Sequence, residues 1–282
     1  MRRKIIIRAI LLICAMVAAP LNDVLGTQVI INSWDGVEWS ILQQMSENGE
    51  TPNLISLGQI HHMTDNQDCF PELFGRTCPC MVTATKPQHA TMLTGVLSDE
   101  HLVRANGENC SPPIPVGLTI YERILERHPN TKTAHIVTKP HMIGAGSQVF
   151  LNIQSVVDVF ISGNYTQKKV TDYVIQLLNL WLNDDFIIFL HFRNPDSVGH
   201  RFGVNSQEYH DQIIEDDIQL GRLLVAIGGR DVVLYVLSDH GFGCPEIYNH
   251  KCSPNTFIVS NDPDIGDMYM VDFAGYVLAN FP

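Results

Sequence analysis

Residues 186–200 read FIIFLHFRNPDSVGH. The run Phe186–His191 is apolar up to its last residue, which suits a strand covered on both faces, and Asp196 and His200 follow it closely. The same grammar recurs elsewhere in the chain. Gln28–Asn32 leads into Ser33-Trp34-Asp35-Gly36, and Asp231–Leu237 leads into Ser238-Asp239-His240-Gly241, with Asn249-His250 a short loop further on. Thr133–Val137 and Asn255–Val259 are two more such runs. Between them Val37–Met45, Lys168–Leu182 and Gln207–Ile227 carry apolar residues at helical spacing, and Gly228-Gly229 stops the last. Short strands buried on both faces and alternating with helices predict a three-layer α/β/α sandwich with a mainly parallel central sheet. The stretch from Gln67 to Pro115 is rich in Cys, Pro, Thr and Gly with little periodicity, and is read as loops and short helices around a site.

Composition narrows the classes. Of 282 residues, 45% are hydrophobic and 17% charged, which excludes a disordered or low-complexity chain. The formal charge of −12 argues against binding nucleic-acid polymers through bulk charge. Residues 1–26 have the form of a secretory signal: Arg2-Arg3-Lys4, an apolar stretch from Ala9 to Ala19, and small residues before Thr27. That stretch is too short for a stable membrane span, which needs roughly 20 residues. Residues 27–282 are then expected to form a single domain, secreted to an extracellular or periplasmic space. Without the leader the charge is −15, because residues 1–26 carry four basic residues and one acidic residue. Cys69, Cys78, Cys80, Cys110, Cys244 and Cys252 remain, an even set that reads as disulfides in an oxidising compartment. Cys244 and Cys252 lie close enough in sequence to staple one short loop; the rival reading is a zinc knot of Cys244, His250 and Cys252. Asn164-Tyr165-Thr166 is a glycosylation sequon if the source is a eukaryote.

In open α/β sheets ligands bind at the carboxyl ends of the strands, which is where Asp35, Asp196, His200, Asp239, His240 and His250 fall. Taken singly these are turns, caps or an i,i+4 pair. Taken together, three carboxylates and three imidazoles are enough to ligate two divalent ions, with zinc favoured by mixed Asp/His ligation and manganese or iron the other choices.

The ordered set of Asp35-Gly36, Thr85-Lys86-Pro87-Gln88-His89-Ala90-Thr91-Met92-Leu93-Thr94-Gly95, Asp196 with His200, Asp239-His240-Gly241 and a late His250 resembles the alkaline phosphatase superfamily. Within it, the type I phosphodiesterase/nucleotide pyrophosphatase branch is most similar, and the resemblance spans residues 28–260. It implies that Thr85 is a metal-coordinated nucleophile sharing its ion with Asp35, Asp239 and His240. It places a second ion on Asp196, His200 and His250. Asn106 matches the residue that holds a nonbridging phosphate oxygen, and Lys86 is a substrate contact through its backbone N–H or its charge. Coordination to a divalent cation would make a threonine hydroxyl nucleophilic, as it lowers the pKa of bound water from ~15.7 to about 7. Two dications against three carboxylates and one alkoxide leave the centre near neutral, so an anionic ester can approach. The implied activity is hydrolysis of small phosphate diesters through a phospho-threonine.

His250 stands only ten residues after His240, a shorter interval than that branch shows. His89, His101, His141 and His191 are read as structural, His191 because it sits in an apolar strand. A sulfatase is disfavoured because Thr85 cannot become formylglycine. A phosphomonoesterase, a phospho-headgroup transferase and a non-catalytic metal-stabilised anion-binding protein are the alternatives.

Overall fold

Gln28–Trp34 (β1) is buried along its whole length and forms the middle of the molecule in the computed structural model, which describes residues 27–64, 83–244 and 246–282. The other strands are His61–Thr64 (β2), Lys132–Val137 (β3), Val159–Ser162 (β4), Phe186–Phe192 (β5), Val232–Leu237 (β6), Asn255–Ser260 (β7) and Met268–Tyr269 (β8). They make one eight-stranded sheet in the order β4-β3-β5-β1-β6-β7-β2-β8. Strands β4, β3, β5, β1 and β6 run parallel, and β7 is antiparallel to both its neighbours. The sheet is therefore mainly parallel, as the apolar runs require.

Alternation along β1 sends Ile30 and Trp34 to one face and Val29 and Ile31 to the other, and each face carries its own core. On the first face Trp34 shares a core with Leu42, Val174 and Leu220 of the helices Trp39–Glu47, Gln167–Leu180 and Gln207–Ile227. On the second, Ile31 shares a core with Leu93, Ile124 and Val277 of the helices Thr85–Thr94, Ile120–Arg127 and Phe273–Ala279. The result is the expected α/β/α sandwich. Strands β2, β4 and β8 are short and are not among the apolar runs named above; β4 is half-buried throughout, although Val159, Phe160 and Ile161 are apolar.

Within the Gln67–Pro115 stretch, the helix Thr85–Thr94 is buried at every one of its ten residues. It has no solvent face, which is why it shows no amphipathic period. No helix among the described residues is long and apolar enough to cross a membrane. Residues 1–26, with the expected signal, and Cys69, Cys78 and Cys80 lie outside the described residues. Cys244 and Cys252 are disulfide-bonded to each other, with Cα atoms 5.2 Å apart, so neither is a zinc ligand. Cys110 is also disulfide-bonded.

Candidate metal centre

The carboxyl ends of β3, β5, β1 and β6 lie side by side, so the loops that leave them meet. Backbone bonds stitch the junction: Asp35 N–H donates to Phe192 O at 2.9 Å, and Asp196 N–H to Asp35 O at 2.9 Å. Gly36 N–H donates to Asp239 Oδ1 at 3.1 Å, and Tyr209 donates its hydroxyl to Gly36 O at 2.6 Å. Gly36 has φ +71°, and a Cβ there would lie 2.8 Å from Asp196 Cβ, so both the turn and the close approach require glycine.

These ties bring together the residues named from sequence. The donor atoms of Asp35, Asp239 and His240 lie within 4.8 Å of one another, as do those of Asp196, His240 and His250. His240 therefore borders both clusters. Its Nε2 stands 3.5 Å from Asp35 Oδ1, 3.4 Å from Asp239 Oδ2 and 4.0 Å from Asp196 Oδ1. His250 Nε2 and His200 Nε2 approach Asp196 Oδ1 at 3.6 and 3.4 Å. Asp196 and His200 occupy successive turns of the helix Asn194–Phe202, which puts both on one face.

The second nitrogen of each imidazole fixes its tautomer. His240 Nδ1 donates to Gly241 O, His200 Nδ1 to Tyr248 O and His250 Nδ1 to Thr83 O, at 2.8, 2.8 and 2.5 Å. With Nδ1 so engaged, each ring turns its Nε2 toward carboxylate oxygens, a backbone-oriented arrangement typical of metal-ligating histidines. Asp35 Oδ1, Asp196 Oδ1, Asp239 Oδ2 and His240 Nε2 are buried and make no hydrogen bond. Acceptors that converge without a donor suit a cation, and this donor set of Asp and His fits a divalent ion.

Electrostatics say the same. Burial opposes ionisation of Asp35 and Asp196, but the Lys139 ammonium, joined by His191 at Asp35 and by His200 and His240 at Asp196, more than offsets it and holds both below the usual carboxylate range. Asp239 is pushed up to about 7 by burial and by the charge of Asp35. Burial drives His250 down to about 3, which keeps it a neutral ligand.

Thr85 opens its helix and is buried. His89 links it to the centre: its Nδ1 donates to Thr85 O at 2.8 Å and lies 3.3 Å from Asp239 Oδ2, while its Nε2 accepts from Ser33 Oγ at 3.1 Å. Lys86 N–H donates to Asn106 Oδ1 at 2.9 Å. The Lys86 side chain is buried and paired with Glu108, so of the two contacts considered for this residue the backbone N–H is the one placed beside Asn106. His101 bonds Thr91 and Val103 away from the centre. His191 is a buried strand residue whose Nε2 donates to Asp35 Oδ2 at 2.9 Å.

One residue at the centre escapes the reading above. Lys139 Nζ lies 2.8 Å from Asp35 Oδ2 and 2.6 Å from Asp196 Oδ2. The signal that finds it is the one that finds Asp35: it stands two residues beyond an apolar run, Thr133–Val137.

Residues 128–280 match the sequence profile of the type I phosphodiesterase/nucleotide pyrophosphatase family. Ectonucleotide pyrophosphatase/phosphodiesterase family member 7 of Rattus norvegicus is 25% identical over 238 residues, covering 76% of this chain and 49% of that protein. The chain thus spans about half the length of the curated relatives it matches. Among solved structures, an inactive variant of murine ectonucleotide pyrophosphatase/phosphodiesterase 5 in complex with AMP superposes with a TM-score of 0.59 at 14% identity, covering 90% of this chain and 95% of that one. A variant of TAB5 alkaline phosphatase with Mg bound gives 0.61 at 14% identity, covering 91% of this chain and 99% of that one. The fold is alkaline phosphatase-like.

Proposed function

The chain belongs to the type I phosphodiesterase/nucleotide pyrophosphatase family, and from that premise we propose that it is a metal-dependent hydrolase of small phosphate diesters that works through a phospho-threonine on Thr85. The observation that carries this reading is the set of unpartnered acceptors on Asp35, Asp196, Asp239 and His240. Asp35, Asp239, His240 and Thr85 would hold one divalent ion, and Asp196, His200 and His250 the other. Such ions, zinc by preference, supply Lewis acidity to the nucleophile and to the leaving oxygen.

The chain's own groups carry the remaining roles. The Thr85 hydroxyl gives up its proton to water as its Oγ attacks phosphorus; the Oγ–P bond forms as the bond to the leaving alkoxide breaks, and that alkoxide takes a proton back from water, so the proton count is unchanged. Water then attacks the phospho-threonine, releasing a phosphate monoester and restoring the Thr85 hydroxyl. Asn106 accepts from the Lys86 N–H at the start of the helix, which orients its own NH2 group to face the charge that develops on a nonbridging oxygen. His89 ties the Thr85 carbonyl to the Asp239 side of the centre, so nucleophile and ligand move as a unit.

A single catalytic domain over residues 27–282 and passage through an oxidising secretory route belong to the same proposal. The oxidised Cys244–Cys252 pair supports the latter. The AMP held by the murine structural neighbour supports a nucleotide as the class of small-molecule substrate.

The test compares initial rates on paired aryl phosphate diester and monoester substrates, after chelation and after reloading with Zn2+, with Thr85→Ala as control. Metal-restored turnover that favours the diester and vanishes in Thr85→Ala is the expected result. Preference for the monoester would retain the mechanism and reassign the substrate class, whereas near-normal turnover by Thr85→Ala would overturn the covalent route.

A further inference from the structure

The two carboxylates that belong to different donor clusters share an ammonium. Lys139 Nζ takes Asp35 Oδ2 and Asp196 Oδ2, and the opposite oxygens, Asp35 Oδ1 and Asp196 Oδ1, are the ones turned to His240 Nε2. The lysine side chain is only 14% exposed, and the two carboxylates 0% and 7%. A pair this enclosed is screened little by solvent or salt. The backbone holds the lysine in place: Thr138, next to it, bonds His191 through its hydroxyl, and Pro140 opens the short helix Pro140–Ile143 directly after it. The centre therefore contains a cation of the chain's own, set between the two places where divalent ions would bind.

Resting on the reading of this site as a metal centre, we propose that Lys139 sets how tightly the chain holds its metal ions. Three carboxylates with no cation among them would repel one another in a buried cage. The ammonium supplies the missing charge when no divalent ion is present, and so keeps Asp35 and Asp196 together in the metal-free chain. The same charge opposes an incoming dication a few ångströms away and occupies one oxygen of each carboxylate, leaving each able to give a metal only its Oδ1. The lysine thus makes the metal-free fold more stable and the metal easier to lose, an arrangement suited to a protein whose ions exchange with the medium.

The experiment uses the full mature chain, metal-free, as wild type, Lys139→Met and Lys139→Arg. Each is titrated separately with Zn2+ and Mn2+ by calorimetry and melted with and without metal. Lys139→Met should bind zinc at least about tenfold more tightly, since a like charge has been removed at short range. Its metal-free melting temperature should fall, so the gap between metal-free and metal-loaded melts widens. Lys139→Arg, which keeps the charge, should stay near wild type in affinity. A lysine that merely packed would lower both melts equally and leave affinity alone. If Lys139→Met folds only with zinc present, its affinity is read instead by competition with a chelator of known strength. Zinc binding by Lys139→Met that is no tighter than wild type overturns the lysine's role alone, whereas a wild type that takes up neither ion overturns the metal-centre reading itself.

Discussion

His191 Nε2 lies 2.9 Å from Asp35 Oδ2, with both side chains fully buried. The ring is held from its other side, where Nδ1 accepts from the Thr138 hydroxyl at 3.1 Å. Asp35 therefore cannot rotate without breaking a buried hydrogen bond, and its Oδ1 stays aimed at His240. Replacing His191 by Phe keeps the volume and removes the bond. Outer-shell partners of this kind are worth about 10–100-fold in metal affinity or activity, so His191→Phe should lose zinc affinity by that order while its far-ultraviolet spectrum stays unchanged. Zinc affinity equal to wild type would show that Asp35 is held by Lys139 and the backbone alone.

Asn106 is tested by its two amide ends. Its Oδ1 accepts from Lys86 N–H, so the NH2 group is turned the other way. Asn106→Asp preserves the acceptor and removes the donor; Asn106→Ala removes both. Loss of a donor to a developing oxyanion costs on the order of 10²–10³ in kcat, and both variants should fall by that much with KM little changed. If Asn106→Asp turns over normally, the side chain serves only to cap the helix start.

The loop that carries His250 is closed by Cys244–Cys252 and fixed by the bond from His250 Nδ1 to Thr83 O. Cys252→Ser opens a loop of eight residues; in the chain-entropy account such closure is worth about 2–3 kcal/mol. Part of that loss should appear locally, because His250 must then be ordered by the metal itself. The expected result is a lower melting temperature together with weaker binding of one of two zinc ions, resolved by calorimetry. Equal weakening of both ions would argue that the loop is not specific to the Asp196 cluster.

How much of this was legible in the sequence follows from burial. Strands β1, β3, β5, β6 and β7 are buried on both faces and so read as apolar runs, and Gln207–Ile227 matches its helical pattern to the residue. The short strands β2, β4 and β8 sit toward the sheet edges and span four residues or fewer, too short for a run or an alternation to stand out. Asp35, Asp196, Asp239 and His240 were legible only as a group: each alone suits a turn or a cap, but carboxylates and imidazoles recur just past several buried strands, and the structure brings them together. Lys139 occupies the same kind of position, but a lysine before a proline also suits an ordinary turn, and only the geometry shows it facing two carboxylates. His191 was read correctly as a satisfied core histidine. That its partner is Asp35 depends on the β1–β5 register, which pairs Ser33 with His191 and which no single strand contains.

Away from the centre, His135 sets an acid limit on the fold. It is buried between the rings of Phe160 and Phe189, stacked at 5.4 and 5.0 Å, and bonds both Tyr121 Oη and Ile143 O. Burial holds its pKa down to about 4, against 6.5 for the free side chain. Between those values the unfolded chain binds a proton that the folded chain does not, so unfolding gains on folding as the pH falls. The stability contributed by the neutral ring is complete above pH 6.5 and is lost progressively down to about pH 4, a change on the order of a few kcal/mol. His101, held near 3 by the same cause, adds a loss of the same sign that extends lower. His135→Phe retains the stacking and removes the titration. It should be less stable at neutral pH, having left Tyr121 and the Ile143 carbonyl without this partner, but its urea midpoint should fall less steeply than wild type between pH 6.5 and 4. The comparison is made with metal loading held constant, so that the ligand histidines contribute equally to both curves. Parallel curves for the two proteins would assign the acid limit to other groups.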